Sequence, residues 1–140
     1  MPSSSCSRAA STVARTTSSL RTVVDREQLL AMQRAVEQVH ADTAILEYAV
    51  DLVTATRESP QVLVGSSPRG TLALLKLARA RAGLEGRDFV TPDDVKRIAL
   101  PALAHRITLR PEVWIQRVDP EDVVRDCLDS CAVPSVRVPD

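Results

Sequence analysis

Three prolines that each follow a helix-capping residue place strong limits on how this sequence can fold. They occur in the pairs Ser67-Pro68, Thr91-Pro92 and Asp119-Pro120. A serine, threonine or aspartate side chain can accept hydrogen bonds from the free amides at a helix start. Proline fits the first helical position, because its missing N–H leaves no helical bond unmade. Each pair therefore predicts the start of a helix.

Two further helix starts lie nearer the N-terminus. Asp25 precedes Gln28 by three residues, which is the spacing of a capping box, and predicts a first helix that runs to about His40. Asp42 caps a second helix that ends at Ser59 and Pro60. Apolar residues recur at helical spacing in both segments, namely Leu29, Met32, Val36 and Val39 in the first and Ile45, Ala49, Leu52 and Val53 in the second.

The third helix, from Pro68 to Gly83 or Gly86, is predicted to be the central one. Pro101 should bend or end the fourth helix, although a short continuation beyond it is plausible. A brief β-branched run at 62–64 could be extended. The expected apolar positions are Leu72, Leu75 and Ala78, widened by Leu74 and Leu77, in the third helix, Val95, Ile98 and Ala99 in the fourth, and Val123, Val124, Cys127 and Leu128 in the last.

The composition agrees with packed helices. Hydrophobic residues make up 44% of the chain but aromatic residues only 2%, so aliphatic side chains must fill the core. The sequence predicts an all-α fold, a small bundle of about five helices, over residues 23–133. Residues 1–22, rich in Ser, Thr and Arg, are expected to be disordered, as a linker or alternatively a transit peptide. Residues 134–140 should form an irregular tail.

Charge and cysteine content exclude several classes of protein. The formal net charge is zero, so no general attraction to nucleic acid or to an anionic membrane is expected. Charged residues interrupt every apolar run before it reaches the length of a membrane span. Three cysteines cannot close a disulfide framework, which favours the reducing cytoplasm. Cys127 and Cys131, one helical turn apart, could serve redox or metal chemistry or simply be small apolar residues on a helix face.

The common catalytic motifs are missing from the sequence. None of the four glycines precedes a lysine, so no phosphate-binding loop of the P-loop type is present. The nucleophile elbow of hydrolases, the zinc-binding His-Glu-x-x-His helix and the calcium-binding acidic loop are also absent. We therefore expect no catalytic residue in this chain.

The best candidate for a binding site is the segment 65–69, which leads into the third helix. A helix start presents free N–H groups and a partial positive charge, both of which attract anions. Arg69 follows Ser67 and Pro68, and its side chain can lean over the same helix start. A forked donor beside free amides suits a phosphate. The alternative is a solvated arginine or one half of an ion pair.

Four segments together resemble the C-terminal lid of the MoxR-family AAA+ ATPases. They are residues 62–70, 87–96, 105–106 and 109–112, and the likeness extends from about Val23 to Val133. The resemblance implies that Arg69 is the sensor 2 arginine, which contacts the terminal phosphate of ATP. It also implies that ATP with Mg2+ is bound mainly by a P-loop core domain, and that no cofactor is expected for the isolated chain.

The resemblance further implies partners, namely the P-loop ATPase core, neighbouring subunits of a ring and a von Willebrand factor A domain protein. Two departures from the family pattern matter. Gly70 stands where the family commonly has a better helix former, which would loosen the start of the third helix. The P-loop, the Walker B acid and the arginine finger are absent, so this chain alone should not hydrolyse ATP.

Several residues and functions keep two interpretations. His105 with Arg106 could line a contact, or His105 could complement a helix dipole. Asp93 and Asp94 look like paired carboxylates but in a first helical turn ordinarily stabilise the dipole. The cations Lys76, Arg79, Arg81, Lys96 and Arg97 could form a nucleic-acid patch or a solvated face. The alternatives to the lid are a free-standing helical interaction module without nucleotide binding and a DNA-binding helical domain.

Overall fold

The computed structural model describes residues 22–135. The predicted disordered segment, apart from Thr22, and the last five residues of the predicted tail lie outside this range. Helices and strands follow one another as α1 (Arg26–Gln38), α2 (Thr43–Glu58), β1 (Val62–Val64), α3 (Pro68–Leu84), α4 (Pro92–Leu103), a 3-10 turn (Ala104–Arg106), β2 (Thr108–Leu109), α5 (Pro111–Ile115) and α6 (Pro120–Ser130).

The predicted caps form at the two N-terminal helices. In α1 the amide of Gln28 donates to Asp25 Oδ1 at 2.8 Å and the amide of Asp25 donates to Gln28 Oε1 at 2.9 Å, which completes the capping box. In α2 the amide of Ala44 donates to Asp42 Oδ1 at 2.8 Å. These local bonds satisfy amides that have no partner inside the helix. They explain why both helices begin where the sequence predicts.

The core lies where α2, α3, α4 and α6 meet, and α3 packs most extensively against α4. The predicted inner face of α2 is buried, and so are Val123, Val124 and Cys127 of α6, whereas Leu128 is partly buried. As expected from the composition, the buried set is almost wholly aliphatic and includes Ile45, Leu52, Val53, Leu74, Val95, Leu103, Val123 and Val124. The fold class is therefore confirmed as a mainly helical bundle.

Of the apolar stripe predicted for the first helix, Val39, the C-cap residue of α1, is the one member that is buried. No residue of α1 falls in the buried class, and Leu29 and Met32 remain 49% and 53% exposed. The helix packs mainly against α3, so only one of its sides has a neighbour. The predicted periodicity is present, but the prediction that this stripe is core is wrong for Leu29 and Met32.

The buried face of α3 is also rotated from the predicted one. Leu74, Ala78 and Ala82 are fully buried, whereas Leu72 is 59% exposed and Leu77 45% exposed. Leucines surround the first half of this helix, so spacing alone does not select a face. Packing against α2 and α4 makes that choice, and it places Leu72 outside the core.

Helix α4 does not end at Pro101. It continues to Leu103 and passes directly into the 3-10 turn, so the shorter alternative is wrong. A proline costs a helix the hydrogen bond of its missing N–H, and here that loss falls in the last turn. The continuation buries Ala102 and Leu103 against the core.

The run 62–64 forms a strand, which agrees with its predicted extended conformation. Two other features were not predicted. The first is the antiparallel pairing of this strand with β2, with Val62 opposite Leu109 and Val64 opposite Thr108. The described part of the chain also contains six α-helices rather than five. The additional helix is α5, which spans only Pro111–Ile115. Among residues 22–135, no helix is both long and apolar enough to cross a membrane.

Candidate functional site

The segment that connects β1 to α3 lies against the last turn of α2. A methyl group at Gly65 would lie 2.6 Å from the Cα of Arg57, closer than any real contact. The backbone of the segment can therefore approach α2 only because residue 65 has no side chain. This contact fixes where the segment begins.

A side chain of α2 holds the next residue. The backbone N–H of Ser66 donates to Thr56 Oγ1 at 3.1 Å, and Thr56 Oγ1 donates to the carbonyl oxygen of Val53 at 2.7 Å. Thr56 and Ser66 are both completely buried. Ser66 lies in the predicted segment 65–69, but Thr56 was not predicted as part of the site, because a bond between positions ten apart leaves no local pattern in the sequence.

The first turn of α3 packs closely beneath the candidate site. A methyl group at Gly70 would lie 2.1 Å from Ser66 Oγ and 3.3 Å from Leu103 Cδ2. The absence of a side chain at Gly70 thus lets this turn rest on Ser66 and on the end of α4. The sequence suggested only that Gly70 weakens the helix, and the structure adds a packing reason for the glycine.

The three predicted site residues, Ser67, Pro68 and Arg69, are all exposed at this helix start. Ser67 has the extended backbone of an N-cap, but its side chain accepts no capping hydrogen bond. Pro68 occupies the first turn, as predicted. Within residues 22–135 the guanidinium of Arg69 has no hydrogen bond and no salt bridge, so the ion-pair alternative finds no support there.

The structure places the exposed guanidinium of Arg69 between two anchored backbone positions. The backbone before Arg69 is fixed by α2, the backbone after it by α4, and the residues between face solvent. A group of this kind can bind an anion without first breaking an internal ion pair.

A second polar cluster joins the loop after α3 to the start of α4. Arg87 binds Asp94 through two parallel bonds, Nη1 to Oδ2 at 2.8 Å and Nη2 to Oδ1 at 2.7 Å. Asp94 Oδ2 also accepts from the amide and the hydroxyl of Thr91, each at 2.8 Å. Arg87 further donates to Glu85 and to the carbonyl oxygen of Phe89. The predicted dipole role for Asp94 is therefore incomplete, since this carboxylate is buried and multiply bonded.

Charge and burial act in opposite directions on Asp94. Burial raises the pKa of its carboxyl, but the hydrogen bonds from Arg87 and Thr91 outweigh burial and hold the pKa below its usual value. The hydrogen bonds of Arg87 to Asp94 and to Glu85 raise the pKa of the guanidinium. Arg81 Nε lies 3.4 Å from Asp94 Oδ1 and adds a second cation. The cluster therefore has a structural role, and its members Arg87, Thr91 and Asp94 belong to the motif 87–96.

No hydrogen bond or salt bridge within residues 22–135 joins the other candidate residues to Arg69. His105 is exposed, whereas Arg106 Nε donates to the carbonyl oxygen of Ala102 at 2.9 Å and so completes the end of α4. Of the predicted cationic patch, Arg81 is engaged with Glu85 and Asp94. Among the described residues, no three His, Cys, Asp or Glu side chains converge as metal ligands.

The cysteines of α6 behave as packing residues. Cys127 is buried and Cys131, at the helix end, is half-buried, and both are free thiols. Burial raises the pKa of each thiol, which keeps them protonated and unreactive. This favours the apolar interpretation of the pair. Cys6 lies outside the described residues.

Comparison with known proteins identifies the family of this chain. The model of the AAA lid domain matches residues 54–127, a stretch that includes Thr56, the segment 65–69 and the Asp94 cluster. The chain belongs to the AAA lid domain family.

The relatives narrow this class to the MoxR type. The chain is 42% identical to YeaC of Bacillus subtilis over 84% of its own length and 37% of that protein, and 31% identical to the chaperone MoxR1 of Mycobacterium tuberculosis over 81% and 33%. A solved structure from Cytophaga hutchinsonii, of a protein assigned as an ATPase, superimposes with a TM-score of 0.74 and 25% identity, covering 78% of this chain and 36% of that one. The fold is thus that of a MoxR-type AAA+ lid. The chain spans about a third of the length of these proteins.

Proposed function

We propose that this lid senses ATP, with Arg69 as the sensor 2 residue that contacts the terminal phosphate. In this proposal a P-loop core domain binds ATP with Mg2+ and presents the phosphate to the start of α3. The observation that carries the proposal is the exposed guanidinium of Arg69, which has no internal partner within residues 22–135 and lies between two anchored backbone positions. Ser67 and Pro68 contribute the open helix start, whose partial positive charge adds to the attraction.

The same proposal assigns the remaining surface to assembly. The family resemblance implies a ring of subunits and a partner protein with a von Willebrand factor A domain. A lid that moves as a rigid body against its core could couple the presence of phosphate to contacts with the next subunit. The well-packed helices α2, α3, α4 and α6 support movement as one body. We also propose that the protein functions in the cytoplasm.

The test is a chimera in which this chain replaces the matching segment of YeaC. Arg69→Ala should raise KM for ATP or lower kcat by roughly 10- to 100-fold, because a charge-assisted bond to a developing or terminal phosphate charge is lost. Arg69→Lys should fall between, since lysine keeps the charge but loses the forked geometry. Arg97→Ala, an exposed arginine of α4, is the matched control and should leave both constants unchanged.

Two results would contradict the proposal. Equal kinetics for Arg69→Ala and the unsubstituted chimera would remove the sensor role. A chimera that fails to hydrolyse ATP although YeaC does so would count against this chain as a working lid.

A second candidate function is a helical interaction module without nucleotide binding. It is favoured by an apolar surface beside the small sheet, where Leu63, Trp114 and Ile115 are 56%, 72% and 84% exposed. If this is the main function, Trp114→Ala with Ile115→Ser should weaken association with a lid-truncated YeaC core, whereas Arg69→Ala should change neither association nor ATP kinetics. Sedimentation of the mixed proteins measures the first effect.

A further inference from the structure

We propose that Thr56 is a positioning residue for Arg69: its hydroxyl anchors the segment 65–69 to α2 and thereby sets where the guanidinium lies. This inference rests on the proposed sensor role of Arg69. Thr56 itself is too deeply buried to touch a nucleotide, so it acts only through the backbone it holds.

The anchor begins in a part of the molecule that is rigid. Thr56 lies in the last turns of α2, a helix fixed to the core by Ile45, Leu52 and Val53, each no more than 1% exposed. The hydroxyl donates its one proton to the carbonyl oxygen of Val53, 2.7 Å away. That bond fixes the side-chain orientation and leaves an oxygen lone pair for the amide of Ser66, 3.1 Å away.

Few other bonds hold the segment. The bond to Thr56 is the single side-chain hydrogen bond that residues 65–69 form within the described chain. Ser66 Oγ is buried without a partner there. The chain also packs closely at Gly65 and at Gly70. These van der Waals contacts are less directional than a hydrogen bond. The hydroxyl of Thr56 is thus the directional contact, and Arg69 follows Ser66 by three residues.

The consequence for binding follows from geometry. A forked donor loses much of its interaction with a phosphate when it moves by an ångström, because both bonds must align together. Without the anchor, the segment gains freedom and the guanidinium spends less time in the productive position. Affinity for ATP should then fall, although every group that touches the nucleotide is still present.

The experiment compares Thr56→Val with Thr56→Ser in the YeaC chimera. Valine keeps the shape but has no hydroxyl, whereas serine keeps the hydroxyl. We expect Thr56→Val to raise KM for ATP about three- to tenfold with a smaller change in kcat, and Thr56→Ser to stay within about twofold of the unsubstituted chimera. In an Arg69→Ala background, Thr56→Val should add no further change, as two residues acting through one contact are not additive.

A matched control separates positioning from general loss of stability. Thr91→Val also removes a threonine hydroxyl, the one that donates to Asp94 Oδ2 at 2.8 Å, but far along the chain from Arg69. It should lower the melting temperature yet leave KM unchanged. An equal rise in KM for Thr91→Val and Thr56→Val would overturn the positioning role.

The outcomes distinguish this inference from the proposed function. If Arg69→Ala raises KM and Thr56→Val does not, the sensor remains and the positioning role is wrong. If neither variant changes the kinetics, the sensor role fails and the inference fails with it. Should Thr56→Val not fold, amide exchange in the unsubstituted full-length chain decides: slow exchange of the Ser66 amide relative to Arg69 supports the anchor, and equally fast exchange overturns it.

Discussion

Gly70 and Gly83 lie in the same helix, yet a methyl group would meet different surroundings at each. At Gly70 it would lie 2.1 Å from Ser66 Oγ, whereas at Gly83 it would meet only Val39 and Val36 at 3.8 and 3.9 Å. Gly83→Ala should therefore raise the free energy of unfolding by about 0.5–1 kcal/mol, the usual gain in helix propensity. Gly70→Ala should lower it by about 1–3 kcal/mol, since Ser66 must move within a packed site. Urea unfolding of both variants measures the opposite signs.

Arg117, just after α5, has a backbone conformation that suits glycine. Its φ is 60°, and the left-handed region costs a residue with a side chain about 1–2 kcal/mol. Arg117→Gly should relieve part of that cost and raise the free energy of unfolding by up to about 1 kcal/mol. The control is Gly86→Ala, at φ 74° with open space around it, which should lower stability through backbone strain alone. A loss of stability in Arg117→Gly, measured by thermal unfolding, would contradict this explanation.

At the scale of elements, the Arg87–Asp94 cluster joins the end of α3 to α4. Asp94→Asn should lower the free energy of unfolding at neutral pH by about 2–3 kcal/mol, because it leaves Arg87 beside a buried neutral group. The pKa of Asp94 is lower in the folded protein than in the unfolded chain, where it is about 3.9. The ion pair therefore stabilises the fold above that pH, and its contribution is lost as the pH falls through the lowered pKa of the folded state.

Urea unfolding at several pH values tests this dependence. The stability difference between the unsubstituted protein and Asp94→Asn should be constant at neutral pH and shrink as the solution becomes strongly acidic. Asp93→Asn is the control, because this exposed neighbour interacts mainly with the helix dipole and should change stability by less than about 1 kcal/mol at any pH. A difference for Asp94→Asn that does not vary with pH would show that its charge is not responsible.

At the scale of the whole molecule, the sequence predicted the helices better than the contacts between them. Caps such as Asp25 with Gln28 act within one turn, so their residues alone place the helix start. The bond from Ser66 to Thr56 and the pairing of Arg87 with Asp94 join separate segments, and only packing brings them together. The strand β2 and the helix α5 are too short to show a period. The location of Arg69 was predictable, but its anchor was not.

The isolated chain should bind ATP only weakly, even if Arg69 is the sensor. An exposed ion pair contributes up to about 1 kcal/mol and a helix start about as much again. Association itself costs at least about 4 kcal/mol in lost freedom, so the two contacts cannot yield a dissociation constant below about 1 mM. Calorimetric titration of the full chain with ATP should therefore show no saturable binding at lower concentrations. Tight binding by the isolated chain would mean that residues other than Arg69 also enclose the nucleotide. ATP binding would then not require a separate core domain.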